Sequence, residues 1–327
     1  MKKILITGAT GQIGSELTLA LRKKYGPNQV VAGGHPSKAA SDNLKESGPF
    51  VIVECLDIES ISKIVEEYKI DTIYHLAALL SATAEFNPKL AWNVNMQGLI
   101  NVLDVALANN CSVFFPSSIA VFGSSTPKNK TPQNTIQRPS SIYGISKLTG
   151  ELFCDYYYQK YHLDVRGVRF PGIISHETMP GGGTTDYAVE IFYSAISQQS
   201  YSCPLKENTY LDMMYMPDAI KATMQIMEVD GKNLRQRVGY NITAMSFCPR
   251  ELASEIKKWI PDFRIEYNVD KSKQTIADSW PNSMDDRVAR LEWGWQPRYD
   301  LPTMTKDMIE KLKLKLDNNS RHHIKML

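Results

Sequence analysis

Long hydrophobic runs are missing from this sequence of 327 residues. No apolar stretch approaches the roughly 18 to 20 residues of a membrane span. Behind Lys2 and Lys3 the run Ile4-Leu5-Ile6 ends at Thr7 and Gly8, too short for a secretion signal. Charge of one sign is missing too: 37 Lys and Arg stand against 35 Asp and Glu, a formal net charge of +2. Without a concentrated positive field the chain is not expected to hold nucleic acid or a membrane surface. Cysteine is scarce and scattered. Cys55, Cys111, Cys154, Cys203 and Cys248 are odd in number and show no C-x-x-C spacing, so no metal centre, redox motif or disulfide framework is expected. The thiols read as reduced ones of a cytoplasmic protein. What is present is ample core material, 43% hydrophobic residues, in a chain without internal repeats.

Up to residue 170 short apolar runs alternate with amphipathic segments. The pattern predicts strands at Lys3–Thr7, Gln29–Ala32, Phe50–Glu54, Thr72–Leu76, Ser112–Pro116 and Val165–Arg169, and helices at Gln12–Tyr25, Ile58–Tyr68, Pro88–Asn109 and Ile142–Tyr161. That order predicts an α/β fold, a doubly wound parallel sheet of the Rossmann type, over residues 1–170. Past Phe170 a break at Met179-Pro180-Gly181-Gly182-Gly183 precedes predicted helices at Ala188–Ser197, Asp218–Glu228 and Arg250–Trp259. Residues 171–316 read mainly as a smaller C-terminal substrate-binding lobe, with a cleft between it and the sheet. Residues 317–327 are polar, basic and without period, and read as a flexible tail.

Gly8, Gly11 and Gly14 fall in a G-x-x-G-x-x-G spacing where the first strand passes into the first helix. In that context glycines permit a tight turn and let backbone N–H groups approach a pyrophosphate, so a dinucleotide is expected here, with Gln12 and Ile13 in the same loop. An acid for the adenosine ribose belongs about 20 residues past the third glycine. That stretch reads Val31-Ala32-Gly33-Gly34-His35-Pro36-Ser37-Lys38, with no Asp or Glu. Gly34 is the nearest counterpart, while His35, Ser37 and Lys38 suit a 2′-phosphate, so the motif does not decide between NAD and NADP. Asp57 suits either the adenine amine or the N-cap of the next helix.

Tyr143 and Lys147 lie four apart at the start of a predicted helix, which puts phenol and ammonium on one face. For a tyrosine to act as a base near neutrality its pKa must fall from about 10 to about 7, roughly 4 kcal/mol, which calls for Lys147 and a positive nicotinamide ring together. Tyr156/Lys160 and Tyr267/Lys271 repeat the spacing and read as surface pairs. What separates Tyr143 is Pro116-Ser117-Ser118, which closes the predicted fifth strand and brings a hydroxyl to the same sheet edge. Ser118 there suits orienting a substrate oxygen, or a cap. His75 has no nucleophile to pair with and reads as packed beside the cofactor.

Taken together, the glycine loop, His75-Leu76-Ala77-Ala78, Asn93-Val94-Asn95, Ser118 and Tyr143/Lys147 resemble the extended short-chain dehydrogenase/reductase family, which includes UDP-sugar epimerases, over essentially the whole chain. One branch looks closer, the short-chain-type L-threonine 3-dehydrogenases, on residues 79–82, 169–175, 183–192, 213–218, 240–243 and 279–281. The resemblance implies oxidation of the side-chain hydroxyl of L-threonine to 2-amino-3-ketobutyrate, with hydride passing to NAD. It implies that Tyr143 takes the hydroxyl proton, that Lys147 holds it acidic and binds ribose, and that Ser118 orients the hydroxyl. Ser81, Thr185 and Trp280 would surround the amino acid, with Gly183, Thr184 and Asp186 in the same loop. Leu76, Ala77, Ala78 and Asn95 would meet the cofactor, and Pro171-Gly172-Ile173 would line its nicotinamide. Hydroxyls plus Asp186 suit a zwitterion, which needs donors for its carboxylate and an acceptor for its ammonium. Thr184, Thr185 and Asp186 also suit the start of a helix, and Trp280 a packed aromatic.

The chain departs from the family at Ser118, where members commonly have threonine, and at Gly34, where many carry an acid. A nucleotide-sugar epimerase or dehydratase, and a non-catalytic dinucleotide sensor, share the first half of this reading. Helices Pro88–Asn109 and Ile142–Tyr161 are apolar on more of their surface than one sheet face requires, and resembling enzymes pair through such helices, so a homodimer is expected. The Met179–Gly183 run is expected to close over substrate as a lid. Serine lacks only a methyl, worth about 1–3 kcal/mol of discrimination, so other 3-hydroxy amino acids stay open as substrates.

Overall fold

The computed structural model describes residues 2–178, 181 and 183–324. The first seven strands are β1 (Ile4–Thr7), β2 (Val30–Gly34), β3 (Phe50–Ile52), β4 (Thr72–His75), β5 (Ser112–Phe114), the two-residue β6 (Ser117–Ser118) and β7 (Val165–Arg166). Six of them form one parallel sheet in the order β3-β2-β1-β4-β5-β7. The strands are continuous apolar runs because both faces of the sheet are covered. Ile4 and Ile6 point into a core shared with helix Gln12–Tyr25, whereas Leu5 points into the opposite one, shared with helices Ile58–Tyr68 and Gly98–Ala108. The order reverses between β1 and β4, where Thr7 stands opposite His75. A doubly wound sheet opens its crevice at such a point.

Beyond β7 the strands are β8 (Val168–Phe170), β9 (Gly172–Ile174), β10 (Ser200–Cys203), β11 (Leu211–Tyr215), β12 (Tyr240–Asn241), β13 (Met245–Phe247) and β14 (Arg264–Tyr267). They build two three-stranded sheets, β13-β11-β9 and β12-β8-β6, and a β10-β14 pair. Since β6 pairs with β8, Ser117 and Ser118 lie where the second lobe meets the main sheet. The chain past Phe170 does not serve that lobe alone: Met216, Ile220, Trp293 and Trp295 pack into the same core as Ile4 and Ile6.

Helices Gln12–Tyr25, Ile58–Tyr68 and Ile142–Tyr161 coincide with the sequence expectation. Two of them start on side-chain caps, Asp57 accepting from the N–H groups of Glu59 and Ser60, and Ser141 from that of Gly144. The stretch expected as one helix over Pro88–Asn109 is broken into Pro88–Trp92, a π-helical turn Asn93–Gln97, and Gly98–Ala108. The wider turn carries Asn95, which is tied to the Leu79 backbone through both its amide atoms and also donates to Ser146. Helix Leu301–Ile324 runs on past Asp317 into the stretch expected as a tail; residues 325–327 lie outside the described residues. Among the described residues no helix is long and apolar enough to cross a membrane.

Candidate active site

On the dinucleotide side the backbone does most of the shaping. Gly8 has φ +73°, and a Cβ there would stand 2.6 Å from the Ala77 nitrogen, so only glycine lets the loop lie against Leu76-Ala77-Ala78. Helix Gln12–Tyr25 starts at Gly11 with no side-chain cap, which leaves its first N–H groups facing the loop. Gln12 Nε2 is buried without a hydrogen-bond partner among the described residues. Orphaned donors at a helix N-terminus, in a loop that tolerates no Cβ, fit a pyrophosphate. Ile13 packs against the core beneath. Asn95 pins the segment after Ala78 through Leu79. Asp57 spends its Oδ1 on capping the next helix, at 3.1 and 3.3 Å.

The end of β2 explains the missing acid. A Cβ at Gly34 would stand 2.6 Å from Phe50 Cζ and 3.1 Å from the methyl of Thr10, so the Phe50 ring fills the space an acidic side chain would take.

At the other end of the crevice, Tyr143, Lys147 and Glu151 repeat every fourth residue along helix Ile142–Tyr161. Ser118 Oγ accepts from the Ala120 N–H at 3.2 Å and stands near enough to the Tyr143 phenol to lower its pKa, so Ser118 both caps and faces the phenol. Lys147 Nζ donates to the Pro116 carbonyl at 2.7 Å and lies 5.7 Å from the centre of the Tyr143 ring. Burial pushes the phenol up to about 12, with the Ser118 hydroxyl pulling the other way. Burial likewise pushes the Lys147 ammonium down to about 8. In the chain by itself burial therefore outweighs Lys147, which leaves the acidifying role to the positive ring that the sequence argument also invokes. His75 is buried, with Nδ1 2.9 Å from Thr7 Oγ1, and burial plus the Lys147 charge press its pKa down to about 3. It is neutral at working pH.

Sequence reasoning missed the support beneath this pair. Ser117 donates to Glu151, and Arg169 grips both Glu151 oxygens at 2.9 and 2.7 Å while also donating to Gln133 O and Asn241 Oδ1. This buried, fully paired cluster bolts β6 and β8 to the helix that carries Tyr143. The i, i+4, i+8 spacing of Tyr143, Lys147 and Glu151 was the available signal.

On the substrate side, Ser81 is buried at the first position of helix Ser81–Phe86. A Cβ on Gly172 would stand 2.7 Å from Thr185 Cγ2, which places Thr185 against the Pro171-Gly172-Ile173 wall. Thr184 Oγ1 is buried without a hydrogen-bond partner among the described residues. Asp186 Oδ2 accepts from the Gly183 N–H at 2.6 Å and closes the loop rather than capping helix Tyr187–Gln198 with its side chain. Trp280 ends helix Lys271–Ser279 and packs in the core against which Tyr143 also leans. Met179, Pro180 and Gly182, and with them the expected lid, lie outside the described residues.

The model of the NAD dependent epimerase/dehydratase family matches residues 4–242. An uncharacterized epimerase/dehydratase from Staphylococcus saprophyticus is 51% identical over 313 residues, 96% of this chain and 98% of that protein. Among solved structures, L-threonine dehydrogenase from Clostridium difficile is 54% identical with a TM-score of 0.94, covering 96% of this chain and 98% of its own. A monomeric L-threonine 3-dehydrogenase from a metagenome is 45% identical with a TM-score of 0.90, over 95% of this chain and 99% of its own. A nicotinamide dinucleotide is thus the cofactor of the fold that the glycine loop and the orphaned Gln12 amide fit, and the chain belongs to the NAD-dependent epimerase/dehydratase family.

Proposed function

We propose that this chain oxidises the side-chain hydroxyl of L-threonine to 2-amino-3-ketobutyrate, passing the hydride to NAD. The observation that carries the proposal is the Ser118 hydroxyl facing the Tyr143 phenol, with buried Lys147 5.7 Å from the centre of the Tyr143 ring, at the edge where the sheet meets a loop holding Thr184 and Thr185. Threonine is favoured over a nucleotide sugar because the likeness to L-threonine dehydrogenases extends through the second lobe, where a substrate is read.

When bound, the nicotinamide accepts the hydride, with its electron pair, from the carbon bearing the hydroxyl. Ser118 Oγ orients that hydroxyl, and the Tyr143 oxygen, as phenolate, accepts its proton as the carbonyl forms. Lys147, buried beside the phenol, holds positive charge there and binds the ribose. Ser81, Thr184 and Thr185 offer donors to the substrate carboxylate, the Asp186 carboxylate balances the ammonium, and Trp280 walls the methyl. Two copies pair as a homodimer through helices Pro88–Trp92, Gly98–Ala108 and Ile142–Tyr161, whose outer faces expose Leu90, Trp92, Ile145, Leu152 and Phe153.

The test is to mix purified protein with L-threonine and NAD or NADP and follow reduced nicotinamide, with L-serine and UDP-galactose as parallel substrates. Reduction with threonine well above that with serine is expected. Silence with threonine under both cofactors, or turnover of UDP-galactose, overturns the proposal.

A further inference from the structure

The acid that conventionally selects NAD is absent from the end of β2, where the Phe50 ring would have to shift to admit a side chain. A carboxylate nevertheless reaches this end of the sheet from the neighbouring strand. The Val53 N–H donates to Gly34 O at 2.9 Å, so Glu54, the next residue, lies level with the first residue after β2. Its Oε2 is 3.2 Å from His35 Nε2. The Ser37 N–H donates to His35 Nδ1 at 3.1 Å, and Ser37 Oγ lies 2.7 Å from the same nitrogen. A nitrogen that accepts a backbone N–H carries no proton, so the imidazole proton sits on Nε2 and is donated to Glu54.

That arrangement brings a carboxylate to the site. In the turn His35-Pro36-Ser37-Lys38, the imidazole is already spent: one nitrogen accepts within the turn and the other donates to Glu54. The imidazole has no donor left for a 2′-phosphate; Lys38 is the cation that remains in the turn, which holds no Arg of the kind that accommodates one. Glu54 is two-fifths exposed and brings a negative charge to the rim. A ribose hydroxyl finds an acceptor there, whereas a phosphate of about two negative charges meets repulsion.

We propose that Glu54, oriented by His35, does the dinucleotide-selecting work that the fold usually assigns to an acid at the position of Gly34, and that the chain prefers NAD to NADP for this reason. The proposal rests on the nicotinamide-dinucleotide reading of the glycine loop but not on threonine being the substrate.

The test is direct titration of NAD and of NADP into the substrate-free protein by calorimetry, for the natural chain, Glu54→Gln, Glu54→Ala and His35→Ala. The natural chain should bind NAD at least about tenfold more tightly than NADP. Both Glu54 variants should narrow that ratio severalfold, chiefly by tighter NADP binding, and His35→Ala should narrow it less. A natural chain that prefers NADP, or ratios unchanged in both Glu54 variants while both dinucleotides still bind, overturns the role of Glu54. Absence of binding by either dinucleotide overturns the cofactor reading itself along with it.

Discussion

Helix Ile142–Tyr161 carries the same Tyr-x-x-x-Lys spacing twice, and the two copies behave in opposite ways. In the outer copy, Lys160 Nζ donates to the Tyr156 oxygen at 2.8 Å, and that hydrogen bond holds the exposed phenol below its ordinary pKa. In the inner copy the ammonium meets the Tyr143 ring and the Pro116 carbonyl, and the phenol is driven up to about 12 by burial. Taken alone, the pair with the better contact and the more acidic phenol is the one with no site around it. Spacing supplies proximity. What distinguishes Tyr143 is the Ser118 hydroxyl opposite it, the glycine loop at the same sheet edge, and burial that makes an arriving positive ring count for more than it would in water.

The largest break in this comparison is Tyr143→Phe set beside Tyr156→Phe. Removing the inner phenol should lower turnover by at least about a thousandfold, within the range that positioned proton transfer supplies, with cofactor binding retained. The outer substitution should leave turnover within about twofold, as for an exposed side chain remote from chemistry. Steady-state rates with threonine, plus dinucleotide titration, check both. Equal effects at the two positions would remove the assignment of the inner pair.

Lys147→Met separates chemistry from stability. Folding moves the Lys147 pKa from 10.5 down to about 8, so between those values the unfolded chain binds more protons and stability rises with pH. Below about 8 the full cost of burying the charge, on the order of 3 kcal/mol, is present and constant. Replacing the ammonium by a thioether of similar length removes that cost but leaves the Pro116 carbonyl unpaired, about 1 kcal/mol the other way. The variant should therefore be inactive yet about 2 kcal/mol more stable at pH 7, with the advantage fading towards pH 10. Denaturant unfolding of both proteins at pH 7 and 9.5 reads this difference. A less stable variant whose difference ignores pH would show that burial of Lys147 costs nothing.

The contrast also marks what a sequence discloses. The helix around Tyr143 was legible because its apolar period runs from a serine cap to a left-handed His162, and helix Ile58–Tyr68 for the same reason with Asp57. The π turn at Asn93–Gln97 was hidden, since one extra residue leaves the apolar count intact and the reason for it, Asn95 reaching Leu79 and Ser146, is tertiary. Gly34 was visible as a missing acid, but not the Phe50 ring packed against it. The direction of the Tyr143 pKa was invisible because a neighbouring lysine is written in the sequence and desolvation is not. Arg169 and Glu151 meet only once β6 and β8 are paired, through strands too short to register as periods.

The smallest effect concerns the face that carries the outer pair. Leu152 is 62% exposed, and Ile145, Phe153, Tyr156 and Tyr161 are exposed on the same helix, an apolar surface that nothing in one chain covers. A second copy laid across it would cover Tyr156 and Lys160. Leu152→Glu should weaken such association by at least about tenfold, seen as a shift from twice 36.9 kDa to a single chain in sedimentation, with turnover little changed. A natural chain that sediments as a single copy at working concentration would leave the outer pair in water and remove the interface. If the dimer forms, burial alone is shown to be insufficient as well. The outer pair would then have proximity, low dielectric and a phenol, and would still lack a hydroxyl to aim a substrate and a glycine loop to deliver an acceptor.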